Sequence, residues 1–281
     1  MLPICQLVDG EGEGMTTRDG LVWASAAPAP AVLRAGAILE ALAQARGRTM
    51  TPARLATAAG GIPRASVVNI CAALHDLELV RAVDGGFVLG PGLLRLSQAY
   101  LDALDPVRAF REQVGRLGDR EETLQLATVE GADVVYLAVH EGTVLMRPTS
   151  RTGARLPVTC TALGKVMLAG RTDDEVRELL ADRVPFESRT PWSITTLDTL
   201  LAELRTARAD GYAVDDQETA EGIVCVAVSV PETATDGRPF AVSSSLLKSQ
   251  ATPGRVAAVV ELIGTVVRRM DGGRERLPGD V

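Results

Sequence analysis

The feature that most constrains the fold is a helix-like pattern that runs straight into a tight hairpin, in PRASVVNICAALHDLELVRAVDGGFVLG at residues 63–90. Pro63 suits the first turn of this helix, and Asp84-Gly85-Gly86 supplies the positive φ that a two-residue hairpin loop requires. The segment is either a winged helix that reads DNA or a packing unit without a partner. Apolar residues recur at steps of three and four, which predicts one buried helix face: Val67, Ile70, Cys71, Leu74 and Leu77.

Two shorter helix-like segments precede this unit. AVLRAGAILEALAQARG has an apolar period close to that of a helix and stops at Gly47. In TPARLATAAG, Thr51 can cap a helix, Pro52 suits its first turn and Gly60 ends it. Three helices followed by a hairpin have the order of a winged helix-turn-helix domain, in which the third helix enters the major groove. We therefore predict such a domain over residues 31–90.

Charge is distributed unevenly along the chain, whose formal net charge is −7. Residues 31–97 carry seven arginines against four acids, whereas residues 1–30 carry one against four. Residues 98–281 carry 21 basic residues against 28 acids. A basic segment on an acidic chain is what a local phosphate-binding module needs, although the excess is small.

Several classes of protein are excluded by composition. No apolar run approaches the ~20 residues that span a bilayer, and the Pro-interrupted LVWASAAPAPAVL has no basic region before it of the signal-peptide kind. We therefore expect a cytoplasmic protein that does not bind membranes. The four cysteines are widely spaced without a CxxC pair, and there are only two histidines. This spacing predicts no disulfide framework, no metal site and no cofactor.

The remainder of the chain has the pattern of a second domain. Residues 1–30 and 273–281 are predicted as tails, and residues 91–104 as a linker helix. Over residues 105–272, apolar or alternating strand-like runs such as DVVYLAVHEG and GIVCVAVSVPE are mixed irregularly with helical segments. This mixture predicts an α+β domain, a sheet with helices packed against it.

Three motifs in order resemble the IclR family of bacterial transcription regulators, over about residues 31–272. They are GIPRASVVNICAALHDLELVRAVDGGFVLGPGLLRL, RTGARLPVTCTALGKVMLAG and LRTARADGYAVDDQETAEGIVCVAVSV. The resemblance implies an N-terminal winged helix-turn-helix domain and a C-terminal effector-binding domain of GAF-like fold. It also implies binding to double-stranded operator DNA, a small-molecule effector, and assembly as a homodimer or a dimer of dimers.

The resemblance further implies the effector-binding residues. Backbone amides at Ala162 and Leu163 would hold a carboxylate, and Asp215 and Cys225 would contact the effector. Two further positions on a later strand fall on Ser244 and Leu246, so that an apolar side chain replaces the second family serine and favours a larger or more apolar ligand. Alternatively, the register is shifted by one residue and Ser243 or Ser245 supplies the hydroxyl.

The third helix and the hairpin carry the predicted DNA contacts. We predict that Asn69 and Ser66 contact bases, because an asparagine binds adenine with two hydrogen bonds. We predict that Arg64 and Arg81 contact phosphates.

The leading interpretation is a ligand-responsive transcriptional regulator and not an enzyme. A nucleotide-binding loop is excluded because the residue that follows Lys165 is Val166 rather than serine or threonine. One alternative is a metabolite sensor that does not bind DNA. A weaker alternative is an enzyme with Cys225 or Cys160 as nucleophile, for which His140 is a lone candidate base.

Overall fold

The computed structural model describes residues 29–143, 151–231, 234–235 and 237–272, and it divides into two compact units at Tyr100 and Leu101. Residues 1–28 and 273–281 lie outside the described residues, and with them nearly all of the two predicted tails. The domain boundaries drawn from the sequence stay predictions. Each unit is described by itself.

The N-terminal unit contains three helices, a two-stranded hairpin and a further helix. Its core is formed by the apolar faces of the first three helices with Val80 of the hairpin. Thr51 accepts a hydrogen bond from the amide of Arg54 and caps the second helix. The elements are α1 (Pro30–Gln44), α2 (Pro52–Ala58), α3 (Arg64–Asp76), β1 (Val80–Val83), β2 (Gly86–Leu89) and α4 (Gly92–Asp102).

The hairpin β1–β2 is closed by a loop of two residues, Asp84 and Gly85, and Gly85 has a φ of 81°. Met50 pairs with Phe87 through two backbone hydrogen bonds of 3.0 and 2.9 Å, which ties the start of α2 to the hairpin. The prediction that Leu77 lies on the buried face of α3 is wrong: it is 61 % exposed. The helix ends at Asp76, so Leu77 leaves the face that its spacing predicted.

The C-terminal unit is built on a six-stranded antiparallel sheet with the strand order β5-β4-β3-β8-β7-β6. Its strands are β3 (Leu124–Glu130), β4 (Asp133–His140), β5 (Arg155–Pro157), β6 (Ala213–Asp216), β7 (Ile223–Val230) and β8 (Phe240–Leu247). Its helices are α5 (Asp105–Gly115), α6 (Ala162–Ala169), α7 (Asp173–Leu180), α8 (Leu197–Asp210) and α9 (Pro253–Gly272).

The two faces of the sheet bury two separate cores. Side chains of α5 and α9 pack with one set of alternate strand residues, such as Val226 and Val242. Side chains of α6, α7 and α8 pack with the other set, such as Ala227 and Ala241. Because side chains alternate between faces along a strand, the position of each strand residue decides which layer it meets.

The α+β class with an N-terminal helix-turn-helix unit is confirmed. Two strands were not predicted, β5 and β6, and both are short and lie at the edges of the sheet. Within the described residues, no helix is both long enough and apolar enough to cross a membrane.

Candidate functional site

A small polar cavity lies between the sheet and the N-terminus of α6 in the C-terminal unit. Its accessible volume is about 10 Å³, which is room for about one water molecule and far below the ~300–1,000 Å³ typical of ligand pockets. Seven of its described lining residues are buried, and Thr219, Cys225 and Ser245 are partly exposed. The described lining consists of Gln125, Tyr136, Thr161, Ala162, Leu163, Asp215, Thr219, Cys225, Ser243 and Ser245. Four of the six predicted effector residues therefore lie together at one cavity.

The remaining two predicted residues, Ser244 and Leu246, lie on the opposite face of β8, so their placement at the cavity is wrong. The strand register pairs Cys225 with Ser245, and directly paired residues of an antiparallel sheet point to the same face. Leu246 belongs to the core formed with α5 and α9. The structure thus has the register shifted by one residue, with Ser243 and Ser245 in the cavity.

Three polar side chains form one row across neighbouring strands of the cavity floor. Asp215 of β6 is paired with Cys225 of β7, which is paired with Ser245 of β8. The Cys225 Sγ and the Ser245 Oγ are 3.2 Å apart. In the adjacent row, the Ser243 hydroxyl donates to the Gln125 Oε1 at 2.8 Å. Because the strands fix this register, the polar groups are held in place without a ligand.

The N-terminus of α6 faces the same cavity. Thr161 caps this helix by accepting a hydrogen bond from the amide of Gly164 at 3.0 Å. Among the described residues, no backbone group accepts a hydrogen bond from the amides of Ala162 or Leu163. Free amides at a helix N-terminus attract anions, and the helix dipole adds to that attraction.

Asp215 is a buried carboxylate at the cavity wall. It accepts hydrogen bonds from the amides of Glu218 at 2.7 Å and Thr219 at 3.3 Å, and from the Thr219 hydroxyl. Burial, followed by the neighbouring Glu218 carboxylate, raises the pKa of Asp215 to about 7. The donors and Lys165 favour the ionised form but do not offset burial.

An ion-pair cluster lies behind Asp215. Lys165 of α6 is 1 % exposed, and its Nζ lies 2.5 Å from the Glu218 Oε1 and 3.4 Å from the Glu203 Oε2 of α8. Burial raises the pKa of Glu218, and Lys165 opposes that shift. The Glu218 Oε2 is buried and has no partner among the described residues. The only cation of this cluster is therefore already paired with two carboxylates.

The geometry does not favour cysteine-dependent catalysis. Burial and the Asp215 carboxylate raise the pKa of the Cys225 thiol above its usual range, and burial likewise raises the pKa of Cys160. A thiol, unlike a thiolate, is a poor nucleophile. His140 lies at the end of β4 and does not belong to the described lining of the cavity.

The predicted DNA contacts lie on the accessible side of the N-terminal unit. Arg64 and Asn69 of α3 and Arg81 of β1 are exposed, and Ser66 is partly exposed. The opposite face of α3 carries Val67, Cys71 and Leu74, which are buried in the core. Ser66 and Asn69 are three residues apart, so they neighbour each other on the helix surface.

Sequence reasoning missed several residues of the two candidate sites. In the cavity these are Gln125, Tyr136 and Thr219, together with the paired Lys165 and Glu218 behind it. Polar residues within apolar runs, such as the glutamine of LQLATV and the lysine of ALGKVMLA, were the available signal. In the N-terminal unit, Arg48 and Arg54 line an open groove beside α2.

A winged helix-turn-helix unit and an α+β unit with a polar cavity, joined in one chain, define the class of one-component regulators. Residues 98–271 match the family model of the bacterial transcriptional regulator IclR C-terminal domain, and residues 31–84 match the IclR helix-turn-helix domain. The chain belongs to the IclR family of bacterial transcriptional regulators, which confirms the resemblance. The members of this family are regulators, so the chain is not an enzyme.

Individual relatives agree with this assignment. The chain is 32 % identical to the Pca regulon regulatory protein of Pseudomonas putida, over 69 % of this chain and 66 % of the relative. The structure of an IclR transcriptional regulator from Alicyclobacillus acidocaldarius has the same fold, with a TM-score of 0.75, 22 % identity, and coverage of 86 % of this chain and 98 % of that one.

A further solved structure holds a ligand. It is an IclR homolog from Microbacterium hydrocarbonoxydans in complex with 4-hydroxybenzoate, with a TM-score of 0.70, 19 % identity, and coverage of 86 % of this chain and 98 % of that one. At that identity it shows the fold alone. The chain spans between 45 % and 66 % of the length of four curated relatives that it matches.

Proposed function

We propose that this protein is a cytoplasmic, ligand-responsive transcriptional regulator that binds operator DNA through its N-terminal unit and a small carboxylate through its C-terminal unit. The single observation that carries the proposal is the pairing of an exposed polar face on α3 with a preorganised polar cavity beneath α6 in one chain. The operon that it controls belongs to the metabolism of its effector.

The DNA contacts follow from the docking of the third helix in the major groove. Asn69 and Ser66 contact base edges, and Arg64 and Arg81 contact phosphates. Arg48 and Arg54 extend the basic surface beside α2, whose counterpart in helix-turn-helix proteins crosses the DNA backbone. The three buried residues on the opposite face of α3, Val67, Cys71 and Leu74, are unavailable to DNA because they form part of the core of the unit.

DNA binding is tested on DNA from the region upstream of the protein's own gene. We expect the logarithm of the affinity to fall linearly with the logarithm of salt concentration, because phosphate contacts release counterions. Asn69→Ala should lose about 1–3 kcal/mol of discrimination against a substituted operator base. Gln44→Ala, which truncates another exposed amide at the end of α1, serves as the matched control.

Absent or salt-independent DNA binding would favour the alternative, a metabolite sensor that does not bind DNA. Unchanged base discrimination in Asn69→Ala would overturn the assignment of that side chain while leaving the function intact. Arg64→Gln separates the two kinds of contact, because loss of a phosphate contact weakens binding to all sequences alike.

The carboxylate class of the effector is supported by the cavity. The free amides of Ala162 and Leu163 provide donors for an anion, and the Ser245 hydroxyl lies at the same cavity. The hydroxyls of Ser243 and Thr219 already donate to Gln125 and Asp215. The 4-hydroxybenzoate in the Microbacterium homolog is a ligand of the same class. Ser243 and Ser245 both lie at the cavity, which supports a polar ligand over the more apolar one that Leu246 favoured.

Effector binding is tested by thermal unfolding in a panel of carboxylic acids. An effector present at about 100 times its dissociation constant should stabilise the folded protein by about 2.7 kcal/mol. Ser245→Ala removes the cavity hydroxyl that, among the described residues, contacts only the Cys225 Sγ, and it should weaken binding of the acids that stabilise the wild type. Ser229→Ala is the control, because it removes a serine hydroxyl at an exposed position of β7.

Assembly as a homodimer or a dimer of dimers is supported by apolar side chains that the N-terminal unit leaves in solvent. Leu94 of α4 is 68 % exposed and Val32 of α1 is 69 % exposed, and Leu33, Leu96 and Tyr100 are also exposed. Large exposed apolar patches mark association surfaces, and we propose that these side chains contribute to one. Sedimentation should show a dimer or tetramer, and Leu94→Glu should shift it towards smaller species.

A further inference from the structure

We propose that the cavity selects monocarboxylic acids, because the bound acid and Asp215 share a single proton and a second ligand carboxylate has no partner. This inference rests on the effector role proposed for the cavity. It assigns to Asp215 the part of a specificity-determining residue.

The first observation is the charge of the cavity wall. The described lining contains one carboxylate, Asp215, and contains no lysine, arginine or histidine. Asp215 itself is 1 % exposed. An anionic ligand therefore comes to lie beside a buried carboxylate, without a cation in the described lining to compensate. Two carboxyl groups in such proximity cannot both ionise, so one of them takes up a proton.

The second observation is that the nearest cation is already occupied. Lys165 contacts Glu218 and Glu203, and it does not belong to the cavity lining. The cluster of Lys165, Glu203, Glu218 and Asp215 thus holds three carboxylates against one ammonium group. The titratable groups around Asp215 are Tyr136 on β4, Cys160 before α6, Lys165 on α6, Glu203 on α8, Glu218 after β6 and Cys225 on β7. Arg189 and Glu187 also act on Cys160, and the Arg189 Nη1 lies 3.3 Å from the Glu187 Oε1, so this second cation is paired with a carboxylate as well.

The proton balance of binding follows from these contacts. Solvent supplies one proton to the carboxylate of Asp215, and the resulting O–H donates a hydrogen bond to the ligand carboxylate. The amides of Ala162 and Leu163 donate to the same anion. Since burial raises the pKa of Asp215 to about 7, the free protein already holds this proton in mildly acidic solution. Above that pH, each binding event takes up one proton.

A dicarboxylate carries a second charge that the described lining of the cavity does not compensate. Its second carboxylate would have to enter the cavity without a cation, or take up a further proton from solution. A carboxyl group with an ordinary pKa near 4.3 holds that proton at a cost of about 100-fold or more in affinity at pH 7. Rejection of dicarboxylates therefore follows from charge.

The test is isothermal titration calorimetry of the full-length protein with two matched pairs of acids, lactate with malate and 4-hydroxybenzoate with terephthalate. Titrations at pH 5.5 and pH 8.5, each in two buffers of different ionisation enthalpy, give the number of protons taken up. We expect close to one proton per monocarboxylate at pH 8.5 and close to none at pH 5.5. The dissociation constant should rise about tenfold per pH unit above pH 7.

Two asparagine variants separate the effect of Asp215 from the effect of removing any one negative charge nearby. Asp215→Asn should bind the monocarboxylate with an affinity that is independent of pH. Asp216→Asn is the matched control, because the neighbouring Asp216 is exposed and pairs with Lys248 outside the cavity. The control should retain the proton uptake of the wild type. If Asp215→Asn fails to fold, the number of protons that the wild-type protein takes up on binding still tests the inference.

Two outcomes would overturn the inference. Wild-type binding of a monocarboxylate without proton uptake at pH 8.5, or dicarboxylate binding of equal strength, contradicts it and leaves the effector role in place. If none of the four acids binds at pH 5.5, where Asp215 is neutral, the cavity is not a carboxylate site, and the inference falls together with the effector role.

Discussion

Lys165 shows how much of the site depends on a single buried residue. It lies in a helix whose other side chains are apolar, and its ammonium group is enclosed by α6, α8 and the turn after β6. Its partner Glu218 is 53 residues further along the chain. Sequence periodicity places a lysine in this helix but does not identify its partner, because the pair forms only when the two segments pack together.

We expect Lys165→Met to lower the free energy of unfolding by about 3–5 kcal/mol, because it leaves the Glu218 carboxylate buried without its cation. The chain contains one other lysine, Lys248, whose ion pair with Asp216 is exposed. Lys248→Met is therefore the matched control, with an expected change below about 1 kcal/mol. Urea unfolding measures the change in the free energy of unfolding for both variants. Equal stability of the two variants would contradict the importance of the buried pair.

The raised pKa of Asp215 also predicts how stability depends on pH. Folding raises this pKa from its ordinary value near 4 to about 7, so the native state binds more protons than the unfolded state between these values. The stability contributed by Asp215 is full in acid and is lost as the pH rises from about 4 to about 7. The difference in unfolding free energy between wild type and Asp215→Asn should change with that sign, whereas Asp216→Asn should track the wild type.

The serines of β8 show where residue-level prediction stops. Their presence in the strand follows from the alternating pattern, but three consecutive serines leave the register open by one residue. The pairing of Cys225 with Ser245 fixes the register, and it puts Ser243 and Ser245, rather than Ser244 and Leu246, at the cavity. Asp215 and Cys225 were predicted at the cavity from the resemblance of the sequence to the IclR family, and not from any periodicity.

At the scale of elements, helix α6 carries a strict requirement for glycine. Gly164 lies against the backbone of Val158, and a Cβ at this position would overlap the carbonyl oxygen of that residue. The close approach holds the N-terminus of α6 against the segment that follows β5, and the amides of Ala162 and Leu163 lie at the cavity from there. Only glycine permits this packing.

Gly164→Ala should destabilise the protein by about 1–3 kcal/mol, because the helix has to move away from Val158. It should also weaken binding of any acid that uses the α6 amides. Gly115→Ala is the control, since a Cβ at that position in α5 meets no atom within 4 Å. Thermal unfolding and calorimetry measure the two effects. A Gly164→Ala protein that retains wild-type stability would show that the helix can shift freely.

The sequence predicts an element well where that element is long and has a single apolar face. Helices α3, α5, α8 and α9 have clear apolar faces, and the strands β7 and β8 alternate or are apolar throughout. The strands β5 and β6 have three and four residues, too few to establish a period of two. β6 nevertheless carries Asp215, so the strand that was missed contains the carboxylate of the cavity.

For the whole molecule, the two units predict a reciprocal coupling. If an acid bound in the cavity changes operator affinity by some factor, operator DNA must change the affinity for that acid by the same factor, typically 5–150-fold in allosteric proteins. Fluorescence anisotropy with labelled operator, with and without the acid, gives one factor. Calorimetry with and without operator gives the other. Unequal factors would indicate a third component, such as a change in assembly.

The contrast between the two lysines has a practical consequence for labelling. Lys165 is 1 % exposed and held by two carboxylates, whereas the Lys248 side chain is 46 % exposed. An amine-reactive reagent should therefore modify the native chain at Lys248 and, apart from the terminal amine, leave it otherwise unmarked. A second modification, on Lys165, would appear only when the sheet and α6 separate, so mass spectrometry of the labelled chain would count unfolding events directly.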